Sequence, residues 1–188
     1  IGIADADVVV SMRADENPWS DYCPLTASCG NLIDLKGVKD DKKVVSGGDH
    51  LAIGLRIKAR GKINDDLRVS LRLITHGNYS AGQLDSVPAN GYLPTNTWDE
   101  GQVLDDLYLL PVLDGSLPGQ YSLELRIYRN YDLVQLSLDG GNATSLTLSS
   151  ISVLPSFKAS VPSQWTTADR QFGDALRLVC FNAGAGPS

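Results

Sequence analysis

The chain lacks the residues on which several functions depend. It has no Lys/Arg-rich run, its net charge is −6 and its pI is near 4.8. The stretch Asp41-Lys42-Lys43 is too short for a basic patch, and an acidic surface repels phosphate backbones, so nucleic acid is excluded as a partner. No apolar run approaches the ~20 residues that cross a bilayer, so no membrane span is expected. The chain opens IGIADADVVV with no signal sequence, which fits a mature or excised product. Histidine is scarce, with only His50 and His76, and no G-x-S-x-G or strand–glycine loop–helix unit occurs. Ser-His-Asp catalysis and phosphate cradling therefore have no support. No window carries a 3.6-residue period with a cap and a stop, which argues against helices.

What is present is period two. In DHLAIGLRIKAR, Leu51, Ile53, Leu55 and Ile57 share one face, while His50, Arg56, Lys58 and Arg60 share the other. DLRVSLRLITH repeats this with Leu67, Val69, Leu71 and Leu73 inward and Arg68, Ser70 and Arg72 outward. GQYSLELRIYRN does so with Tyr121, Leu123, Leu125 and Ile127. Further strands are expected in ADVVVSM, NLIDLKGV, QVLDDLYLL, DLVQLSL, ATSLTLSSISVL and ALRLVCF. Turn formers separate them: Gly47-Gly48-Asp49, Asp114-Gly115, Pro118-Gly119 and Asp139-Gly140-Gly141. A hydrophobic fraction of 43% suffices for a core. The expectation is all-β: an antiparallel β-sandwich, immunoglobulin-like or jelly-roll-like, with extra terminal strands. The expected organisation is an N-terminal segment 1–30, a sandwich module 31–154, and a linker with a C-terminal strand over 155–188. ALRLVCF echoes LIDLKGV, each after a Trp-containing connector. That is either the start of a second repeat or a chance likeness of short strands.

Three cysteines are few enough to weigh singly. Cys23 and Cys29 bracket CPLTASC, where a local disulfide is expected in an oxidising compartment. The spacing is not CxxC, so zinc is disfavoured. Asn78-Tyr79-Ser80 and Asn142-Ala143-Thr144 are glycosylation sequons, at Asn78 and Asn142, and lean toward an extracellular or cell-surface location.

The segment GQLDSVPANGYLPTNTWDEGQVLDD, residues 82–106, concentrates proline, glycine, one tryptophan and carboxylates. Pro88 and Pro94 rule out a central strand. Trp98 is expected to close the open end of the core with its N–H on a loop carbonyl. Asp106, on the face of Leu104 and Tyr108, must find donors, and loop N–H groups or a tyrosine would serve. The rival reading is a carbohydrate platform of Trp98 and Tyr92 with Gln83, Asn90 and Asn96; outward Tyr128 and Tyr131 would make another. A glycosidase pair among Asp85, Asp99, Glu100, Asp105 and Asp106 is not expected, because Asp105 and Asp106 point to opposite faces. Calcium lacks its loop spacing, so neither metal nor cofactor is expected.

The spacing Gln83-x-Asp85-x-x-Pro88-x-x-Gly91-x-x-Pro94-Thr95-x-x-Trp98-x-x-Gly101 resembles extracytoplasmic β-sandwich modules of bacterial, Chloroflexi-type, membrane glycosyltransferase-like proteins. The resemblance continues through Val103, Asp106 and Tyr108, then Pro118-Gly119, Tyr121 and Ile127-Tyr128, covering about residues 31–154. It implies a sandwich and export. It does not imply transferase activity, since those catalytic carboxylates belong to a membrane part with no counterpart here. Residues 1–30 depart from the pattern. The expected function is a non-catalytic exported sandwich with a structural or interaction role, self-assembling or binding another surface protein through terminal strands such as 1–12 and 172–182. The alternative is a carbohydrate-binding module with a glycan partner.

Overall fold

The structure, a computed structural model, describes residues 22–155, 166–172 and 176–181. The chain divides into two compact units, Ile1–Ser156 and Phe157–Ser188. In the first, one sheet has the order β1-β2-β4-β7, from Cys23–Cys29, Ile33–Asp40, His50–Ala59 and Val103–Pro111. The other has the order β3-β9-β8-β5-β6, from Val44–Ser46, Leu146–Leu154, Gly119–Arg129, Leu67–Ile74 and Ser80–Ser86. Pairing is antiparallel except for β3 beside β9, which is parallel. In the second unit, β10 (Thr166–Phe172) pairs antiparallel with β11 (Leu176–Phe181). The strand expected in ADVVVSM lies outside the described residues.

The alternation read from the sequence is the sandwich's seal. Leu51, Ile53, Leu55 and Ile57 of β4 are buried against Leu67, Val69, Leu71 and Leu73 of β5 and Tyr121, Leu123, Leu125 and Ile127 of β8 in one core cluster. Each such side chain contributes roughly 1.5–3 kcal/mol when fully covered. Tyr121 keeps its hydroxyl satisfied by donating to the Leu117 carbonyl at 2.8 Å.

Four expectations need correction. CPLTASC is strand β1, hydrogen-bonded to β2, so the sandwich starts earlier than residue 31. Its ends are separated by roughly 20 Å at strand rise, whereas a disulfide needs Cα atoms about 4.4–6.8 Å apart. Both cysteines are free: Cys23 is exposed and Cys29 buried. A register shift between Pro24 and Ala27 separates their orientations. DLVQLSL is not a strand; it carries isolated bridges at Gln135 and Leu138 and scattered backbone hydrogen bonds, but no continuous ladder. Leu133 and Asp139 sit at φ 59° and 48°, which no regular strand accepts. SAGQLDS, which overlaps the proline- and glycine-rich segment 82–106 and is not among the expected strands, is edge strand β6.

The connection from β6 to β7 crosses between the sheets, and three side chains, Trp98, Thr95 and Asp106, fix it. Trp98 is 2% exposed and packs with Ile33, Ile57, Leu67 and Ile127 at the core's end. Its Nε1–H donates to the Leu93 carbonyl at 3.0 Å. Thr95, also buried, donates its hydroxyl to the Asp65 carbonyl at 2.9 Å and accepts the Leu67 N–H at 2.7 Å. Asp106 accepts the Ala89 N–H at 2.8 Å and the Leu107 N–H at 3.0 Å. The first of these holds Ala89 at φ 51°, a left-handed conformation that alanine resists.

Trp98→Ala is expected to lower unfolding free energy by about 3–5 kcal/mol. Thr95→Val and Asp106→Ala, each stranding a backbone N–H, are expected to cost about 1–3 kcal/mol. Urea melts of the three variants check this. Burial first, then the charges of Asp139 and Asp34, pushes the Cys29 thiol up to about 12 from 9.0. Thiol alkylation read by peptide mass spectrometry should therefore label Cys23 in the native protein and Cys29 only after unfolding. A Cys23–Cys29 disulfide would leave both unlabelled until reduction.

Candidate functional site

The outer face of the five-stranded sheet carries the polar half of the alternation, and strand register brings it into rows. Arg68 of β5 lies opposite Tyr128 of β8, which is bridged to Gln135. The next row is Asp85 of β6, Ser70 of β5 and Arg126 of β8. The third is Gln83, Arg72 and Glu124. Ser70 is small, so the middle row is low, and a hollow of about 220 Å³ opens above it. Arg72, Gln83, Asp85, Arg126, Tyr128, Leu133 and Gln135 surround it. Leu133 and Gln135 come from the loop after β8, which folds back along that strand with the Leu136 N–H on the Ile127 carbonyl at 2.8 Å.

Asp85 is the hub of this face. The Tyr128 hydroxyl donates to its Oδ1 at 2.8 Å, and the Gln83 amide to its Oδ2 at 2.6 Å. Burial alone would raise its pKa. Hydrogen bonds from Gln83, Ser70 and Tyr128, with the Arg68 charge, outweigh that and hold the carboxyl below its usual 3.8. The Tyr128 phenol is raised, first by burial and then by its bond to Asp85. Both groups therefore keep their neutral-pH states: carboxylate and phenol. Arg126 leans on Glu124 at 3.5 Å, a weak pair. Arg72 makes no ion pair among the described residues. The Nε atoms of Arg68, Arg72 and Arg126 are shielded from solvent and have no hydrogen-bond partner.

The five residues expected as a sugar platform do not converge. Trp98 is in the core and cannot stack on a ligand, because sealing the apolar end consumes its whole ring. Gln83 faces outward on β6 into the hollow just described. Asn90 lines a different depression with Leu84, Ser86, Leu107 and Leu109. Tyr92 projects from its turn 92% exposed, and Asn96 is also exposed. Arg72, Arg126 and Gln135 were missed as site residues. Their signal was the outward polar half of adjacent strands, and only the register shows which of them meet.

The other chemistry-bearing residues are dispersed. Asp105 and Asp106 do take opposite faces: Asp106 is buried, while Asp105 accepts a two-pronged bond from Arg56, at 2.7 Å from Nε and 3.0 Å from Nη2. His50 and His76 are exposed. Among the described residues no three His, Cys, Asp or Glu side chains gather as metal ligands would. Among them, too, no helix is long and apolar enough to cross a membrane. Asn78 and Asn142 are both exposed.

No family model matches the chain, and no curated protein matches it in sequence. Among solved structures it is similar to the C-terminal domain of wzt, at TM-score 0.46 and 10% identity, over 73% of this chain and 80% of that one. It is also similar to a CARDB domain from Pyrococcus furiosus in complex with di-metal ions, at TM-score 0.37 and 14% identity, over 65% of this chain and 94% of that one.

The Asp85 network exists only in the folded protein, so its pH dependence has a sign. A folded-state pKa below 3.8 means the contribution is complete above that value and is lost as pH falls through the lower, folded one. NMR titration of the Asp85 carboxyl is expected to give a midpoint below 3.8, and Tyr128→Phe should move it upward. An unmoved midpoint would show that the phenol does not hold the carboxylate.

Proposed function

We propose that the chain is a non-catalytic binding module of an exported protein and that a glycan is bound on the outer face of the five-stranded sheet. The observation that supports this is the hollow above Ser70, walled by arginine, glutamine and carboxylate groups beside Tyr128 and Leu133. Sugars present hydroxyls that both donate and accept. Asp85 offers acceptors, Arg72 and Arg126 offer donors, and Gln83 and Gln135 offer both. Tyr128 and Leu133 supply apolar surface for a ring's C–H face.

Catalysis is a poor fit to the same groups. Glycoside hydrolysis needs two carboxyl groups across the scissile bond, one of them protonated. Among the described residues Asp85 is the one carboxylate lining the hollow, and its neighbours favour the ionised form. Export is supported by the exposed sequons and by the likeness to extracytoplasmic modules. The self-assembly reading rests on terminal strands. One of its two segments, 1–12, lies outside the described residues, and in the other β11 is paired with β10.

Isothermal titration of the purified protein with a panel of soluble polysaccharides tests the reading. At least one is expected to bind, with Gln83→Ala and Gln135→Ala weakening it about tenfold, or ~1.4 kcal/mol, at unchanged melting temperature. Tyr92→Ala should leave affinity intact. Affinity lost in Tyr92→Ala but kept in the two glutamine variants would move the site elsewhere.

A further inference from the structure

The hollow has an unbalanced charge, and the imbalance identifies the kind of sugar. The chain as a whole is acidic, at −6, yet this face gathers Arg68, Arg72 and Arg126 within adjacent rows. Asp85 answers Arg68, whose charge helps keep it ionised, and its two oxygens accept from Tyr128 and Gln83 rather than from Arg72 or Arg126. Arg72 has no carboxylate partner among the described residues, and Glu124 pairs with Arg126 only at 3.5 Å. The three guanidinium Nε atoms are withdrawn from water with nothing to donate to. Arg72 and Arg126 line the hollow, where an anion can bond their guanidinium groups.

We infer that the ligand is a uronate-bearing saccharide, its carboxylate seated between Arg72 and Arg126 above Ser70. This rests on the reading of that face as a glycan site. A guanidinium presents parallel N–H groups that match the two oxygens of a planar carboxylate. The hollow holds a sugar unit rather than a bare anion: at about 220 Å³ it extends past the arginines to Gln83, Gln135 and Leu133. The arginines serve the carboxylate, the glutamines serve hydroxyls, and Tyr128 with Leu133 faces the ring. Asp85 keeps Tyr128 and Gln83 in place, and its charge sets a limit on how many acidic units the face admits.

Four probes separate the possibilities: an oligo-uronate, its methyl ester, the neutral oligosaccharide of the same linkage, and inorganic sulfate. Calorimetric titration is expected to show the oligo-uronate binding at least about tenfold more tightly than the ester and the neutral chain. Arg72→Gln and Arg126→Gln should each erase most of that preference while leaving the melting temperature unchanged. Arg72→Lys should restore part of it, and rising salt should weaken the uronate more than the ester. Equal binding of ester, neutral chain and uronate would overturn the inference while leaving the glycan reading standing. Sulfate displacing the uronate at equal molar concentration would overturn the carboxylate specificity. Failure of every oligosaccharide, in this panel and in the wider one, would overturn the glycan reading itself.

Discussion

A carboxylate buried in one sheet holds the loop that arrives from the other. Asp106 sits on the inner face of β7, 9% exposed, and its acceptors are matched by the backbone N–H groups of Ala89 and Leu107. Without those donors its burial would be prohibitive, and without Asp106 the left-handed Ala89 would lose the partner of its N–H and keep only the Tyr92 N–H on its carbonyl. Burial, and then the Asp106 charge, also drives the Tyr108 phenol far upward, so that tyrosine stays neutral beside it. Thr95 makes the matching attachment to the five-stranded sheet through Leu67 and Asp65. Trp98 fills the space between. The loop is thus a polar clamp around an apolar plug, and it fixes where β6 ends and β7 begins.

The position of β6 in turn determines which side chains meet on the outer face of the five-stranded sheet. β6 is a poor strand by composition, with Ser80, Gly82, Ser86 and no β-branched residue. It is held by pairing with β5 and by close approach to the opposite sheet. A side chain at Gly82 would run into the Pro111 carbonyl, and the Leu113 N–H reaches the Ala81 carbonyl at 2.7 Å. Only with β6 seated this way do Gln83 and Asp85 fall beside Arg72 and Ser70. A slip of one residue would turn both inward and bury a carboxylate in the core.

Period two carried most of the fold, because a half-buried strand has no choice about which residues face the core. Leu51 through Ile57 and Tyr121 through Ile127 are buried in the alternation that their spacing demands. The same pattern misled at DLVQLSL. Val134, Leu136 and Leu138 alternate, but Leu133 and Val134 are exposed, while Leu136 and Leu138 only lean on the core. Alternation records what could be a strand; hydrogen-bonding partners decide whether it is one. CPLTASC erred the other way. Pro24 and two cysteines suggested a loop, yet an edge strand tolerates proline beside a register shift. The buried role of Trp98 and the need of Asp106 for loop donors were legible, since each follows from one residue's chemistry. The convergence of Arg72, Arg126 and Asp85 was not, because it depends on the relative register of three strands.

The two outer faces use the same kinds of side chain differently. On the four-stranded sheet, Gly37 and Gly54 leave a berth that the Tyr22 ring fills. Arg56 stacks on that ring at 5.3 Å and spends its guanidinium on both oxygens of Asp105. Cation, anion and aromatic there satisfy one another, so a ligand would have to break a two-pronged ion pair to gain a contact. On the five-stranded sheet the small residue is Ser70, and no aromatic covers it. Tyr128 is engaged with Asp85, and Arg72 lines the hollow with no ion-pair partner among the described residues. The same ingredients, arginine, aspartate and tyrosine around a small residue, close one face and leave the other incomplete. An incomplete set of charges held on rigid strands is preorganised for a partner that completes it.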